Sequence, residues 1–133
     1  MKIFLITVAC IITASCKKTN VIERQTIAGK WELRQSSGGI AGTVTYNPDN
    51  GSVYVFDNTK SFRLLAATAI VHAGSYVIKE SANAGDWSLQ LRFLVNNQVV
   101  IENDSIRFNN NQLIFFPAAS CCDMPVMFYE KLP

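Results

Sequence analysis

From Trp87 to Phe93 apolar and polar residues alternate without a break. Trp87, Leu89, Leu91 and Phe93 fall on one side, and Ser88, Gln90 and Arg92 on the other. A period of two belongs to an extended strand, whose successive side chains point to opposite faces. The same alternation sets Trp31 and Leu33 against Glu32 and Arg34, Tyr76 and Ile78 against Ser75 and Lys79, and Ile106 and Phe108 against Ser105 and Arg107. Near the C-terminus it sets Val126 and Phe128 against Met127 and Tyr129. One apolar and one wetted face is the pattern of antiparallel sheet, since parallel strands are buried on both sides. Asn, Asp, Gly and Pro clusters at 47–51, 57–58, 82–86, 96–97 and 109–111 separate the runs.

The runs predict about eight or nine short strands, drawn from 29–37, 42–46, 52–57, 60–66, 73–80, 87–95, 98–101, 104–108, 111–116 and 125–131. Residues 64–73 are rich in alanine and suggest a helical turn, and no 3.6-residue stripe stands out elsewhere. Many short strands joined by tight turns favour an all-β antiparallel up-and-down barrel of about eight strands, or a sandwich. With 133 residues, 49% of them hydrophobic, the chain has material for one domain with a real core. Its basic residues are scattered singly and the net charge is only +2, so no nucleic-acid surface is expected.

The N-terminus has a different character. Met1-Lys2 precedes twelve uncharged residues, 3–14, which is the length of a secretory h-region and too short to span a bilayer. Thr13-Ala14-Ser15-Cys16 resembles the lipobox of bacterial lipoprotein signal peptides, with Thr13 where a leucine-like residue is usual. That resemblance implies removal of residues 1–15 and attachment of palmitate-type acyl chains to Cys16. Two or three chains at one residue make a stable anchor, whereas a single chain is marginal. Residues 16–26 then form the lipidated cysteine and a polar tether, and residues 27–133 form the barrel domain. The ten tether residues 17–26, at ~3.3 Å each, keep that domain close to its membrane. Ser15-Cys16-Lys17-Lys18 resembles the mature start of lipoproteins of Bacteroidota-type bacteria, in which an acidic run after the cysteine favours surface display. With Lys17-Lys18 in that place, the resemblance implies an outer-membrane lipoprotein facing the periplasm.

Of the four cysteines, Cys10 leaves with the leader and Cys16 is taken by lipid. Cys121 and Cys122 remain, adjacent, in an oxidising compartment. Three fates stay open: a vicinal disulfide, two half-buried free thiols, or a metal or partner cysteine. A closed zinc site wants four N or S ligands, and the single histidine, His72, is far away in sequence, so no metal or cofactor is expected.

Ile27-Ala28-Gly29-Lys30-Trp31 places a G-x-W motif at the first predicted strand. This resembles the lipocalin superfamily, where the glycine and tryptophan open the first strand and the tryptophan plugs the barrel base. The wider layout is similar to small lipocalin-like lipoproteins of Bacteroidota-type bacteria. It shares their G-K-W-E-L start, a Ser37–Gly42 segment, a G-x-Y strand at Gly74–Tyr76, and late cysteines before an aromatic last strand. The arginine usual over the motif tryptophan is missing, and Lys131 is the nearest cation.

Three functions compete. The first is a binding module that holds a small apolar or amphipathic ligand among Trp31, Phe62, Tyr76, Trp87, Phe93, Phe108, Phe115 and Phe128, or simply packs them as core. The second is a structural or inhibitor-like protein that meets an envelope partner through the 36–42 or 117–125 loop. Enzymatic activity is the least supported. His72 has no motif around it, and Glu102 and Asp104, which share a strand face, read beside Asn103 as a solvated bend. The expected protein is a non-enzymatic, membrane-anchored ligand-binding lipoprotein.

Overall fold

The computed structural model describes residues 26–116 and 124–133. They form nine strands: β1 (Gly29–Ser37), β2 (Thr43–Thr45), β3 (Val53–Phe56), β4 (Ser61–Ala66), β5 (Ala69–Glu80), β6 (Trp87–Val95), β7 (Gln98–Phe108), β8 (Gln112–Phe116) and β9 (Val126–Lys131). All neighbours are antiparallel, and β1 pairs with β9 on one edge and with β3 on the other. Eight strands therefore close an up-and-down barrel, and short β2 lies along the last third of β1. Closure removes the free edges that would otherwise recruit another chain.

The turn chemistry places the hairpins. Asn96 and Asn97 both adopt positive φ, 51° and 63°, which a two-residue hairpin turn matched to strand twist requires. Asp57 Oδ1 accepts the N–H groups of Thr59 and Ser61, each at 2.9 Å, and so closes the turn between β3 and β4. Asn109 Oδ1 does the same for Asn111 and Gln112 between β7 and β8.

The structure corrects the sequence reading in three places. The two short strands at 98–101 and 104–108 are one strand, β7, so Glu102-Asn103-Asp104 is no bend but mid-strand. Its partners dictate this, since β6 offers an unbroken ladder from Leu89↔Asp104 to Leu94↔Val99. Residues 64–73 form no helical turn. They are the end of β4, a turn at Ala67 (φ 55°) and the start of β5. Alanine's helix preference is weak beside the pairing of Leu64 with His72 and Leu65 with Ile70. In β9 the faces are reversed: Tyr129 is buried and Met127 packs on the core, which turns Phe128 outward. All four residues of Val126–Tyr129 are apolar or aromatic, so their alternation carries no sign of which side faces in.

At Gly74 the backbones of β5 and β6 approach too closely for a side chain. A Cβ there would lie 1.9 Å from the carbonyl oxygen of Arg92, a backbone atom that cannot swing aside. Gly74→Ala is expected to cost about 2–3 kcal/mol as β5 and β6 separate locally. A urea midpoint unchanged from the parent would show that the strands give way at no cost.

Candidate functional site

The barrel interior has a packed end and an open end. At the packed end, Trp31 is fully buried, and its Nε1 donates to the Ile27 carbonyl at 2.7 Å. Lys131, on the last strand, holds its Nζ 5.2 Å from the centre of the Trp31 ring, and so takes the position that the sequence leaves without an arginine. The motif glycine makes room for it. Gly29 has φ +141°, and a Cβ there would sit 2.7 Å from Lys131 Cε. Phe56, Phe62, Tyr76, Leu89, Leu91, Ile106 and Phe108 fill the space above. Tyr76 satisfies its hydroxyl by donating to the Asp57 carbonyl at 2.7 Å.

Of the aromatics singled out from sequence, Trp31, Tyr76, Phe93 and Phe108 are core. Trp87 is half-buried against Phe108, ring centres 5.5 Å apart, beside a cleft of about 420 Å³ that Thr26, Lys60 and Glu80 also line. Phe128 belongs neither to the core nor to the barrel cavity. It lines an outer hollow with Arg34, Gln35 and Glu130. Cys16, Cys121 and Cys122 lie outside the described residues. Among the described residues, no group of three or more His, Cys, Asp or Glu side chains could hold a metal.

The open end is where the C-terminal ends of β4, β6 and β8 meet the starts of β5, β7 and β9. A cavity of about 190 Å³ there is lined by Tyr54, Glu102, Asp104, Phe115, Met124, Met127 and Tyr129, among others. Tyr54 stacks on Phe115 at 5.3 Å and meets Tyr129 edge-on at 5.5 Å. Glu102 and Asp104 stand opposite the buried Leu91 and Leu89, so both carboxylates are on the core side of β7. Burial pushes the Tyr54 and Tyr129 hydroxyls well above their ordinary range. His72 also faces inward, its ring 4.5 Å from that of Phe93 and its buried Nδ1 without a hydrogen-bond partner.

Sequence reasoning missed this group. Tyr54 and Tyr129 were not singled out, and of the two acids assigned to solvent Glu102 is exposed but Asp104 is half-buried. One signal was available: positions 100, 102, 104, 106 and 108 share a parity, and three of the five are apolar.

Burial first, then the neighbouring Glu102, raises the Asp104 carboxyl from its ordinary 3.8 to about 6. The folded chain then holds this proton more tightly than the unfolded chain. The contribution of Asp104 to stability is therefore fully present below pH 4 and is lost as pH rises through 6, where the charged form persists as a cost. At ~1.36 kcal/mol per pH unit the cost is about 3 kcal/mol, and partial exposure reduces it to about 1–2 kcal/mol. Asp104→Asn is expected to be more stable than the parent by that amount at pH ~7 and no more stable at pH ~4. Urea midpoints at the two pH values check it, and equal gains at both would show that ionisation is not the cause.

Most large apolar side chains left exposed gather around the same mouth: Ile40 (98% exposed), Ile70, Leu94 (62%), Val99, Ile101 and Met124. Thr26 and Ile27 lie at the other end, beside Trp87 and Phe108. The architecture, a closed antiparallel eight-stranded barrel with a tryptophan at one end, is compatible with a lipocalin-like fold. No family model, no curated protein and no solved structure matches the chain.

Proposed function

We propose that this is a lipocalin-like binding protein of the bacterial envelope, anchored through Cys16, that takes a small apolar or amphipathic ligand into the open half of its barrel. One observation carries the binding reading. The core is packed around Trp31, and besides the cleft beside Trp87 at that end the barrel leaves, at the opposite mouth, a cavity walled by aromatic rings with a few polar groups among them. At about 190 Å³ the cavity is smaller than the ~300–1,000 Å³ of drug-sized sites, so the guest is small or leaves part of itself outside. Mass spectrometry of the full chain, expressed in a bacterial envelope and gently extracted, tests it. Under native conditions a discrete adduct that is released on denaturation is expected. A clean unliganded mass would point to a self-filled barrel and overturn the binding role.

The anchor rests on the lipobox resemblance of Thr13–Cys16 and has its own test. The parent is expected to begin at residue 16 with two or three acyl chains, and Cys16→Ala to carry none. A parent that retains residues 1–15, or lacks acyl chains, would overturn the anchor.

A second reading, a protein-interaction lipoprotein, is favoured by the apolar rim. With the tether leaving from the Thr26 end, the rim of an anchored domain points away from its own attachment point. The rim then meets an envelope protein in preference to the anchoring membrane. Photo-crosslinkers at Leu94 and Ile101 distinguish a protein partner from lipid.

A further inference from the structure

We propose that the mouth cavity selects cations: its ligand is a small aromatic or amphipathic amine, with the ammonium held between Glu102 and Asp104 and the apolar part against Tyr54, Phe115 and Tyr129. This rests on the binding reading above and names the chemistry of the guest.

Two carboxylates two residues apart on one strand point to the same side, and the register of β7 on β6 makes that side the barrel interior. Neither carboxylate is in an ion pair or a side-chain hydrogen bond among the described residues, and the sequence of 117–123 contains no basic residue. Among the described residues, the titratable groups that face Asp104 across the cavity are Glu102 on the same strand, Tyr54 on β3 and Tyr129 on β9, none of them a cation. Asp104 is half-buried and Glu102 is exposed beside it, so the desolvation falls mainly on Asp104. A partly desolvated carboxylate with a second one at its side and no cation on it gains from a cation and repels an anion. A fatty-acid carboxylate would meet two like charges in a partly desolvated site, which is unfavourable by simple electrostatics.

The walls narrow the choice among cations. Tyr54, Phe115 and Tyr129 are mutually packed, with centroids 5.3 to 5.5 Å apart, and present ring faces and edges beside the carboxylates. Organic cations gain from such rings, more so when desolvated. Met124 and Met127, at the lip, add adaptable thioethers that suit an apolar body of varied shape. A bare divalent ion fits poorly. Calcium takes six to eight oxygen ligands, and this lining is dominated by carbon and sulfur.

The test compares three probes of one shape on the full chain in lipid nanodiscs at pH ~8, above the raised Asp104 value of about 6. They are 2-phenylethylamine, 2-phenylethanol and phenylacetate, with calcium as a fourth arm, read by isothermal titration calorimetry. The amine is expected to bind roughly tenfold or more tighter than the alcohol, and phenylacetate and calcium not to bind measurably. Glu102→Gln with Asp104→Asn is expected to reduce the amine to the affinity of the alcohol and to leave the alcohol unchanged. Retention of the near-ultraviolet dichroism of the parent confirms that the variant is folded. Equal binding of amine and alcohol to the parent would overturn cation selection and leave the binding reading standing. Binding of phenylacetate, or of calcium alone, would also overturn it. If no probe binds, the proposal falls, and a clean native mass then removes the binding reading with it.

Discussion

Trp31→Ala is expected to bring the barrel to the edge of unfolding, with a loss of about 3–5 kcal/mol. Three separate interactions end at this side chain. It is fully buried at the packed end, among Ile27, Leu33 and the other residues of the core cluster. Its indole N–H is satisfied by the Ile27 carbonyl at 2.7 Å, which ties the segment before β1 to the barrel floor. Its ring lies under the Lys131 ammonium at 5.2 Å, which joins the last strand to the first where the barrel closes. Removing the ring opens a cavity, frees a buried carbonyl and leaves Lys131 over nothing. Total stability of a small domain is only about 5–15 kcal/mol, so this single change takes a large share of it. Trp31→Phe separates the contributions. It keeps a plug and a ring for Lys131 but leaves the Ile27 carbonyl unpaired, with an expected loss of about 1–3 kcal/mol. Urea unfolding followed by far-ultraviolet dichroism measures both. A Trp31→Ala loss below about 1 kcal/mol would mean that the floor is held by something else.

The fold was legible because each long strand has its own turn chemistry and a clear period. Trp87–Val95 alternates cleanly, and Asn96-Asn97 can hardly be anything but a hairpin. What was hidden followed a common cause: the sequence shows which residues alternate, but only the partner strand says which side is in. In β9 both sets are apolar, so Phe128 and Tyr129 traded faces. In β7 the inward set includes two acids, so a true strand looked like a bend. Those are the residues that make the mouth a candidate site. Binding groups break the apolar pattern from which a core is read, and so an inward carboxylate is easily mistaken for a solvated one. The Trp31 floor is the opposite case, because it obeys that pattern.

Glu32→Ala is expected to be nearly as damaging as loss of Trp31, for reasons that lie on the outer wall. Glu32 is only 2% exposed, although it is on the opposite face of β1 from Trp31. The chain between β2 and β3 folds over it. Its carboxylate accepts the backbone N–H of Asp49 at 3.2 Å and, more weakly, that of Gly51 at 3.4 Å, and Arg34 Nη1 lies 2.6 Å from Oε2. Asn50 fastens the same loop by donating to the carbonyls of Leu33 and Asn47 at 2.7 and 2.8 Å. Truncating Glu32 leaves two loop N–H groups without an acceptor and Arg34 with only the exposed Glu130, at 2.9 Å. Breaking a buried pair from one side costs about 3–5 kcal/mol, and the partial exposure of Arg34 sets the expectation near the lower end, about 3 kcal/mol. Much of that is the uncompensated guanidinium, so removing both partners is expected to cost less than removing one. In a double-mutant cycle, Glu32→Ala with Arg34→Met is expected to recover about 1 kcal/mol or more relative to Glu32→Ala alone. Strict additivity would show that the carboxylate acts only through the loop backbone. The consequence for the mouth is direct. The covering loop follows Tyr46, whose hydroxyl lies 3.4 Å from Ser36 Oγ, and it leads into β3, which carries Tyr54. A loosened loop is therefore expected to disturb the aromatic wall of the cavity as well as the fold, and the Glu32→Ala variant, where it remains folded, to bind 2-phenylethylamine more weakly than the parent.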